Sequence, residues 1–243
     1  NVMQNSSEPL FEFCKEIIDA TCDEAVCFKP NIAFFERRGS KGFLEFEKVI
    51  RHLKINHSKI PIIADVKRGD LANTSKEYAK YYFDDLGVDS ITLSPYMGKD
   101  TVEPFLNHSR GYVFLLCLTS NPSSDDFQKK IIQGEKIFLY EKVALFSEKL
   151  NGEFKNQVGI VVGGTHPDEL GALRECCPNL VFLIPGFGAQ GGALDEILLK
   201  SGQNSIINSS RSIIFSSNGK DFAESAQKKA KEINLEMKKF CLQ

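Results

Sequence analysis

A (β/α)8 barrel, the TIM-type barrel of the α/β class, is the fold this sequence predicts, and three observations predict it. Short apolar runs of strand length alternate with amphipathic helical segments along all 243 residues, with no linker or low-complexity stretch. Each apolar run ends in Gly, Pro, Ser, Thr or a charged residue, as strands do where a barrel collects its chemistry on one face. The length suits a single large domain, residues 1–243. A doubly wound open sheet is the alternative that the same alternation allows.

Taken in order, the chain opens on a helix. Leu10, Phe13, Cys14, Ile17 and Ile18 recur at helical spacing after Pro9, which suits a first-turn position. A short strand over 25–29 follows and ends in Lys29-Pro30-Asn31. Phe43, Phe46, Val49, Ile50 and Leu53 mark a helix over 42–55. The apolar run 60–64 reads as a strand, and the pattern over 71–86 as a helix stopped by Gly87. Strand 90–94 ends in Pro95-Tyr96, a short helix covers 102–106, and strand 112–118 ends in Thr119-Ser120-Asn121-Pro122. A polar loop precedes a long helix over about 136–150. Strand 158–162 leads into Gly163-Gly164-Thr165 and a helix over 167–176. Strands 180–184 and 205–208 come last, before a Lys-rich helix over 222–240 whose lysines form a solvated face. Seven strands are thus countable where a barrel takes eight. Because the chain opens on a helix, the eighth is expected N-terminal to Asn1, which is not a Met.

Composition excludes several function classes. Thirty Lys+Arg against 32 Asp+Glu leaves no electrostatic footprint for nucleic acid. No apolar run approaches the length of a membrane span, and no signal peptide is visible. Seven cysteines, odd in number and irregular in spacing, suit reduced and mostly buried thiols in a cytoplasmic protein; Cys176-Cys177 reads as a helix end. His52, His57, His108 and His166 show no ligand spacing, which argues against a histidine metal site. No cofactor motif is present.

The chemistry centres on residues 60–75, where Ile-Pro-Ile-Ile-Ala breaks at once into Asp65-Val-Lys67-Arg-Gly-Asp70. Two readings fit: a solvated turn with Asp70 capping the next helix, or a charged site at a strand end. In extended chain Asp65 and Lys67 project to one side, and Lys29 ends the preceding strand. A Lys29–Asp65–Lys67–Asp70 array alternates in sign, which is how buried charges become tolerable. The flanking carboxylates favour the ammonium form of Lys67. That disfavours a Schiff base and favours a general acid, or a fixed cation beside developing negative charge. A second set, Gly186 to Gly192 with Gln190, then Ser210-Arg211, follows the last two strands, where barrels often hold phosphate. A Gly-rich turn with a surface Arg is the plainer account. An uncharged set, Thr119, Ser120, Asn121 and Pro95-Tyr96, suits either an amide-rich planar ligand or helix caps.

The motifs Phe28-Lys-Pro-Asn31, Asp65-Val-Lys-Arg-Gly-Asp70, Thr119-Ser-Asn-Pro122, Val161-Val-Gly-Gly-Thr165, Pro185-Gly-Phe-Gly-Ala-Gln-Gly-Gly192 and Ser209-Ser-Arg211 occur in order over the whole chain. In these the chain resembles the orotidine 5'-phosphate decarboxylases. The resemblance implies cofactor-free and metal-free decarboxylation of orotidine 5'-phosphate to UMP in pyrimidine biosynthesis. Lys67 becomes the proton donor to C6, with Asp65, Lys29 and Asp70 completing a charged tetrad. Ser120 contacts the pyrimidine, Asn31 the ribose side, and Gln190 with Arg211 grips the phosphate. Thr119, Pro185 and Ser210 join the substrate-binding set. A homodimer is implied, with Asp70 and Thr74 acting in the partner's site. The family's ribose-binding Asp on its first strand has no counterpart here. A phosphosugar epimerase, synthase or aldolase on the same scaffold, and a non-catalytic phosphometabolite-binding module, are the rival readings.

Overall fold

A computed structural model describes residues 6–108, 111–187 and 194–241. Nine stretches of it set up the first half. These are α1 (Pro9–Thr21), α2 (Ala33–Glu36), α3 (Gly39–Asn56), β1 (Ile63–Arg68), α4 (Ala72–Ala79), a π-helical turn over Lys80–Asp85, β2 (Ser90–Leu93), α5 (Lys99–Leu106) and β3 (Tyr112–Leu118). After a 3-10 turn at Pro122–Asp126 come α6 (Leu139–Glu153), β4 (Val158–Val162), α7 (Pro167–Cys176), β5 (Val181–Pro185), α8 (Leu194–Ser201), β6 (Ser205–Asn208), α9 (Arg211–Ile214) and α10 (Phe222–Cys241). The six strands stand in sequence order in one sheet, and β3 to β6 pair in parallel. The α/β class and the strand-then-helix alternation are therefore as expected.

The helix expected over 71–86 is α-helical only to Ala79 and π-helical beyond it, and three further details differ from the expected elements. The segment 25–29 forms no ladder strand; it makes two isolated parallel bridges, Phe28 with Ile62 and Asn31 with Asp65. Pro30 lies between them and has no N–H to donate, so the ladder is interrupted although its carbonyl still accepts from Asp65 N at 3.0 Å. Strand β1 runs Ile63–Arg68 rather than 60–64, which places Asp65, Lys67 and Arg68 within the strand and Asp70 beyond it. The helix expected from 136 starts at Leu139, because Phe138 pairs back with Ile131 and its N–H donates to Glu141 Oε2 at 2.7 Å.

The chain forms two compact units. The first comprises Asn1–Val66, Glu77–Ile91 and Ser210–Glu236. Its core holds Phe46, Leu53, Ile50 and Phe35, with Phe35 and Phe46 edge-to-face at 5.3 Å. The carboxylate of Glu45, buried on α3, accepts from Leu10 N (2.7 Å) and Phe11 N (3.0 Å). It thereby satisfies two of the donors that the N-terminus of α1 leaves open. The second unit comprises Lys67–Lys76, Thr92–Ser209 and Met237–Gln243. Leu118, Ile160, Val162, Phe182 and Ile184 of its strands pack against Tyr140, Leu170, Leu173 and Ile197 of its helices. At the N-terminal ends of β5 and β6, Arg174 donates to the carbonyls of Ser201, Cys177, Leu180 and Asn204 at 2.6–3.2 Å. Its guanidinium lies 3.6 Å from the Phe182 ring centroid.

Candidate functional site

In the first unit the structure brings together Lys29, Asn31 and Asp65. Asp65 is 6% exposed, and its Oδ2 accepts from Lys29 Nζ at 2.7 Å and from Asn31 Nδ2 at 3.1 Å. Both donors come from the bridge segment beside β1, where Asp65 O in turn accepts from Ile32 N at 3.3 Å. The interrupted strand therefore delivers a cation and an amide to a desolvated carboxylate. Two donors on one oxygen offset part of the cost of burying that carboxylate. Ser210 and Arg211 belong to the same unit. Ser210 precedes α9 and accepts from Ile213 N and Ile214 N through its carbonyl; Arg211 is exposed at the first position of that helix.

In the second unit Lys67 is exposed and its backbone adopts φ +47°, in the left-handed region that side chains rarely occupy. Lys67 nevertheless stays within β1, at a φ far from ordinary strand values. Its N–H donates to Thr92 Oγ1 at 3.0 Å, a polar residue within a buried strand whose part the sequence reading missed. Gly69 sits against the Ser94 carbonyl so closely that a Cβ there would meet it at 2.7 Å. The carboxylate of Asp70 accepts from Leu71 N at 2.7 Å, and its carbonyl from Ser75 Oγ at 2.8 Å. Leu71 stands between Asp70 and α4, so this bond goes to the adjoining N–H and is not an N-cap bond to the first turn of the helix. Thr74 lies exposed on α4.

At the end of β3, Thr119 Oγ1 donates to Asn121 Oδ1 (2.6 Å) and accepts from Gln128 Nε2 (2.8 Å), while Thr119 N donates to Gln128 Oε1 (2.7 Å). His166 Nε2 lies 3.2 Å from the Thr119 carbonyl. Glu169, one turn on, receives Lys129 Nζ at 2.7 Å. Burial pushes the Glu169 carboxyl up, but Lys129 and a backbone hydrogen bond outweigh it and hold it below its ordinary value. Ser120 follows, exposed, in a notch made by glycines: a Cβ on Gly163 would lie 2.8 Å from Ser120 N. Gly186, at φ +96°, turns the chain beside Ser120 directly after Pro185, whose carbonyl accepts from Gly164 N at 2.8 Å. Gln128 and His166 carried no periodic or motif signal, whereas Gly163 and Gly186 stood in quoted motifs. Gln190 lies outside the described residues.

A half-buried lysine on a buried aspartate beside one parallel strand, and polar side chains at the ends of others, are what the strand ends of (β/α)8-barrel enzymes carry. Residues 9–226 match the model of the Orotidine 5'-phosphate decarboxylase / HUMPS family, and the chain belongs to that family. An orotidine 5'-phosphate decarboxylase of Leptospira interrogans is 56% identical over 236 residues, covering 97% of this chain and 85% of that protein. Another, from Bacteroides fragilis, is 44% identical over 238 residues, 96% of this chain and 85% of the other. Among solved structures, the OMP decarboxylase of Leishmania donovani superposes with a TM-score of 0.81 at 37% identity, covering 93% of this chain and 87% of that one.

Proposed function

We propose that the chain decarboxylates orotidine 5'-phosphate to UMP, using a preorganised lysine–aspartate array. The observation that carries the mechanism is the buried Asp65 carboxylate, clamped by Lys29 Nζ at 2.7 Å and Asn31 Nδ2 at 3.1 Å, two residues before Lys67. In the reaction the C6–carboxylate bond breaks, CO2 leaves, and the electron pair stays on C6. The Lys67 ammonium stabilises that charge and then transfers a proton to C6, becoming an amine that solvent reprotonates. Fixed charges serve this better than mobile ones, because they need not reorganise as the carbanion forms. Asp65 orders the cations, and in the bound complex lies near the leaving carboxylate. The left-handed backbone at Lys67 is strain of the kind active sites store.

Ser120, in its glycine notch, contacts the pyrimidine, with Thr119 holding the turn and Pro185 flanking it. Asn31 serves the ribose side. Gln190, Ser210 and Arg211 bind the phosphate, whose remote binding energy supports transition-state stabilisation. Asp70 and Thr74 act in the site of a second copy. In support, Leu71, next to Asp70, exposes apolar surface, at 63%. A cytoplasmic location suits the six described cysteines, all free. No helix among the described residues is long and apolar enough to cross a membrane.

The test is loss of orotidylate absorbance with purified protein, with and without a chelator, for the wild type and Lys67→Ala. Chelator-insensitive turnover that Lys67→Ala abolishes, with circular dichroism unchanged, supports the reading. Borohydride trapping of substrate on Lys67, or an unaffected variant, sinks it.

A further inference from the structure

We propose that Asp19, His52 and His57 form a binding site for a divalent transition-metal ion of the zinc, cobalt and nickel type, none of them a residue assigned to the reaction. Asp19 stands near the end of α1, His52 in the last turns of α3, and His57 caps that helix. Residues 33 and 38 positions apart thus converge: His52 Nε2 lies 2.6 Å and His57 Nε2 2.8 Å from the same oxygen, Asp19 Oδ1. One ligand atom from each lies within 4.8 Å of the others, and this is the only such group of three among the described residues. Sequence spacing hid it, because the carboxylate comes from a different helix.

The donor set is that of a borderline cation. Two imidazoles and one carboxylate suit zinc, cobalt and nickel, whereas magnesium and calcium want oxygen alone. The rings are already ordered. The His52 side chain is 10% exposed and that of His57 16%. His52 meets Phe11 edge-on at 6.3 Å and the His57 ring at 5.5 Å. Asp19 is 38% exposed, so the remaining coordination positions open to water. Bonds of about 2.0–2.1 Å in a tetrahedral site hold ligand atoms about 3.3 Å apart, so the cluster opens by roughly half an ångström to admit the ion.

An outer partner is present as well. Asn56, one turn after His52, places its amide 3.0 Å from His52 Nδ1. A metal on Nε2 leaves the proton on Nδ1; a half-turn of the Asn56 amide presents Oδ1 to accept it, at the cost of the bond that Nδ2 now donates to the His52 carbonyl at 3.1 Å. Opposing the ion is Lys15, whose Nζ lies 3.3 Å from Asp19 Oδ2. The bound ion ties the end of α1 to the end of α3, directly before the segment that enters β1.

The test uses the full chain after chelator treatment. Thermal unfolding is followed with zinc chloride against magnesium chloride, and cobalt chloride is titrated with visible spectroscopy. Zinc is expected to raise the melting temperature and cobalt to give a visible d–d band, with no response to magnesium. His57→Ala should lose both signals while keeping orotidylate turnover. Asn56→Asp, which supplies a permanent acceptor to Nδ1, should tighten binding about tenfold, and Lys15→Ala should tighten it too. Wild type that responds to neither ion overturns the proposal. So does a response that survives in His57→Ala, or a near-ultraviolet thiolate-to-cobalt band, which would place the metal on cysteines.

Discussion

Lys29 Nζ and Asp65 Oδ2 lie 2.7 Å apart with side chains only 12% and 7% exposed, so each is the other's neutralising partner in a desolvated place. Lys29→Ala leaves the carboxylate buried without its cation and is expected to cost about 3–5 kcal/mol of stability by denaturant unfolding. Asp65→Asn keeps the shape, so its stability should fall less. Its turnover should drop by at least about 10²–10³-fold, as for other preorganised charge stabilisers. Unchanged turnover in Asp65→Asn would remove the array from the mechanism.

Lys67 holds φ +47°, a conformation open to glycine and strained for any side chain. Lys67→Gly and Lys67→Ala should therefore be equally inactive yet differ in stability. The glycine variant should be the more stable by about 1 kcal/mol, because the left-handed region costs an L-residue about that much. Equal stabilities would mean that the turn relaxes when the lysine is removed.

If Asp70 serves the partner's site, inactive variants should complement one another. Mixed dimers of Lys67→Ala with Asp70→Ala contain one site with both residues intact, so random mixing should restore about a quarter of wild-type turnover. Each homodimer alone should stay inert. No recovery on mixing would assign Asp70 to its own subunit's site.

Arg174 donates to five carbonyls around the starts of β5 and β6 and covers the Phe182 ring. Arg174→Ala should lower stability by about 2–4 kcal/mol, since several part-buried carbonyls lose their donor at once. Arg174→Lys should recover only part, lacking the planar fork.

Burial pushes the Cys14 and Cys177 thiols up to about 12 and Cys27 to about 11, and raises Cys117 further still. The folded state therefore holds these protons while an unfolded thiol loses its own near about 8.5. Their contribution to stability is complete below that value and shrinks as pH rises toward 11–12. Native protein at pH 8 should label at Cys176 and Cys22 well before Cys117 and Cys177, and chemical denaturation should become easier above about pH 9. Fast labelling of Cys117 in folded protein would contradict its burial.

The alternation of apolar runs and helices placed β2, β3, β4 and β6 within a residue of where they lie, and α7 at its observed bounds. These elements bury side chains on regular spacings, so their pattern is written locally. The segment 25–29 was legible as apolar but not as broken, because the gap in its pairing depends on which strand Pro30 faces. The π turn at Lys80–Asp85 and the late start of α6 were hidden for the same reason, being settled by packing rather than by propensity.

For the proposed site, residue types and motif order pointed to Lys29, Asp65, Lys67 and Ser120, since charge and turn chemistry at strand ends are local properties. The sequence by itself thus determined the strand-and-helix order, the family and the charged residues. Tertiary structure alone decided that Lys29 and Asn31 share one oxygen of Asp65, that Lys67 turns left-handed, and that Asp19 meets two histidines of another helix. Those are relations between distant segments, and hydrogen-bond geometry in desolvated surroundings exists only once the chain has packed.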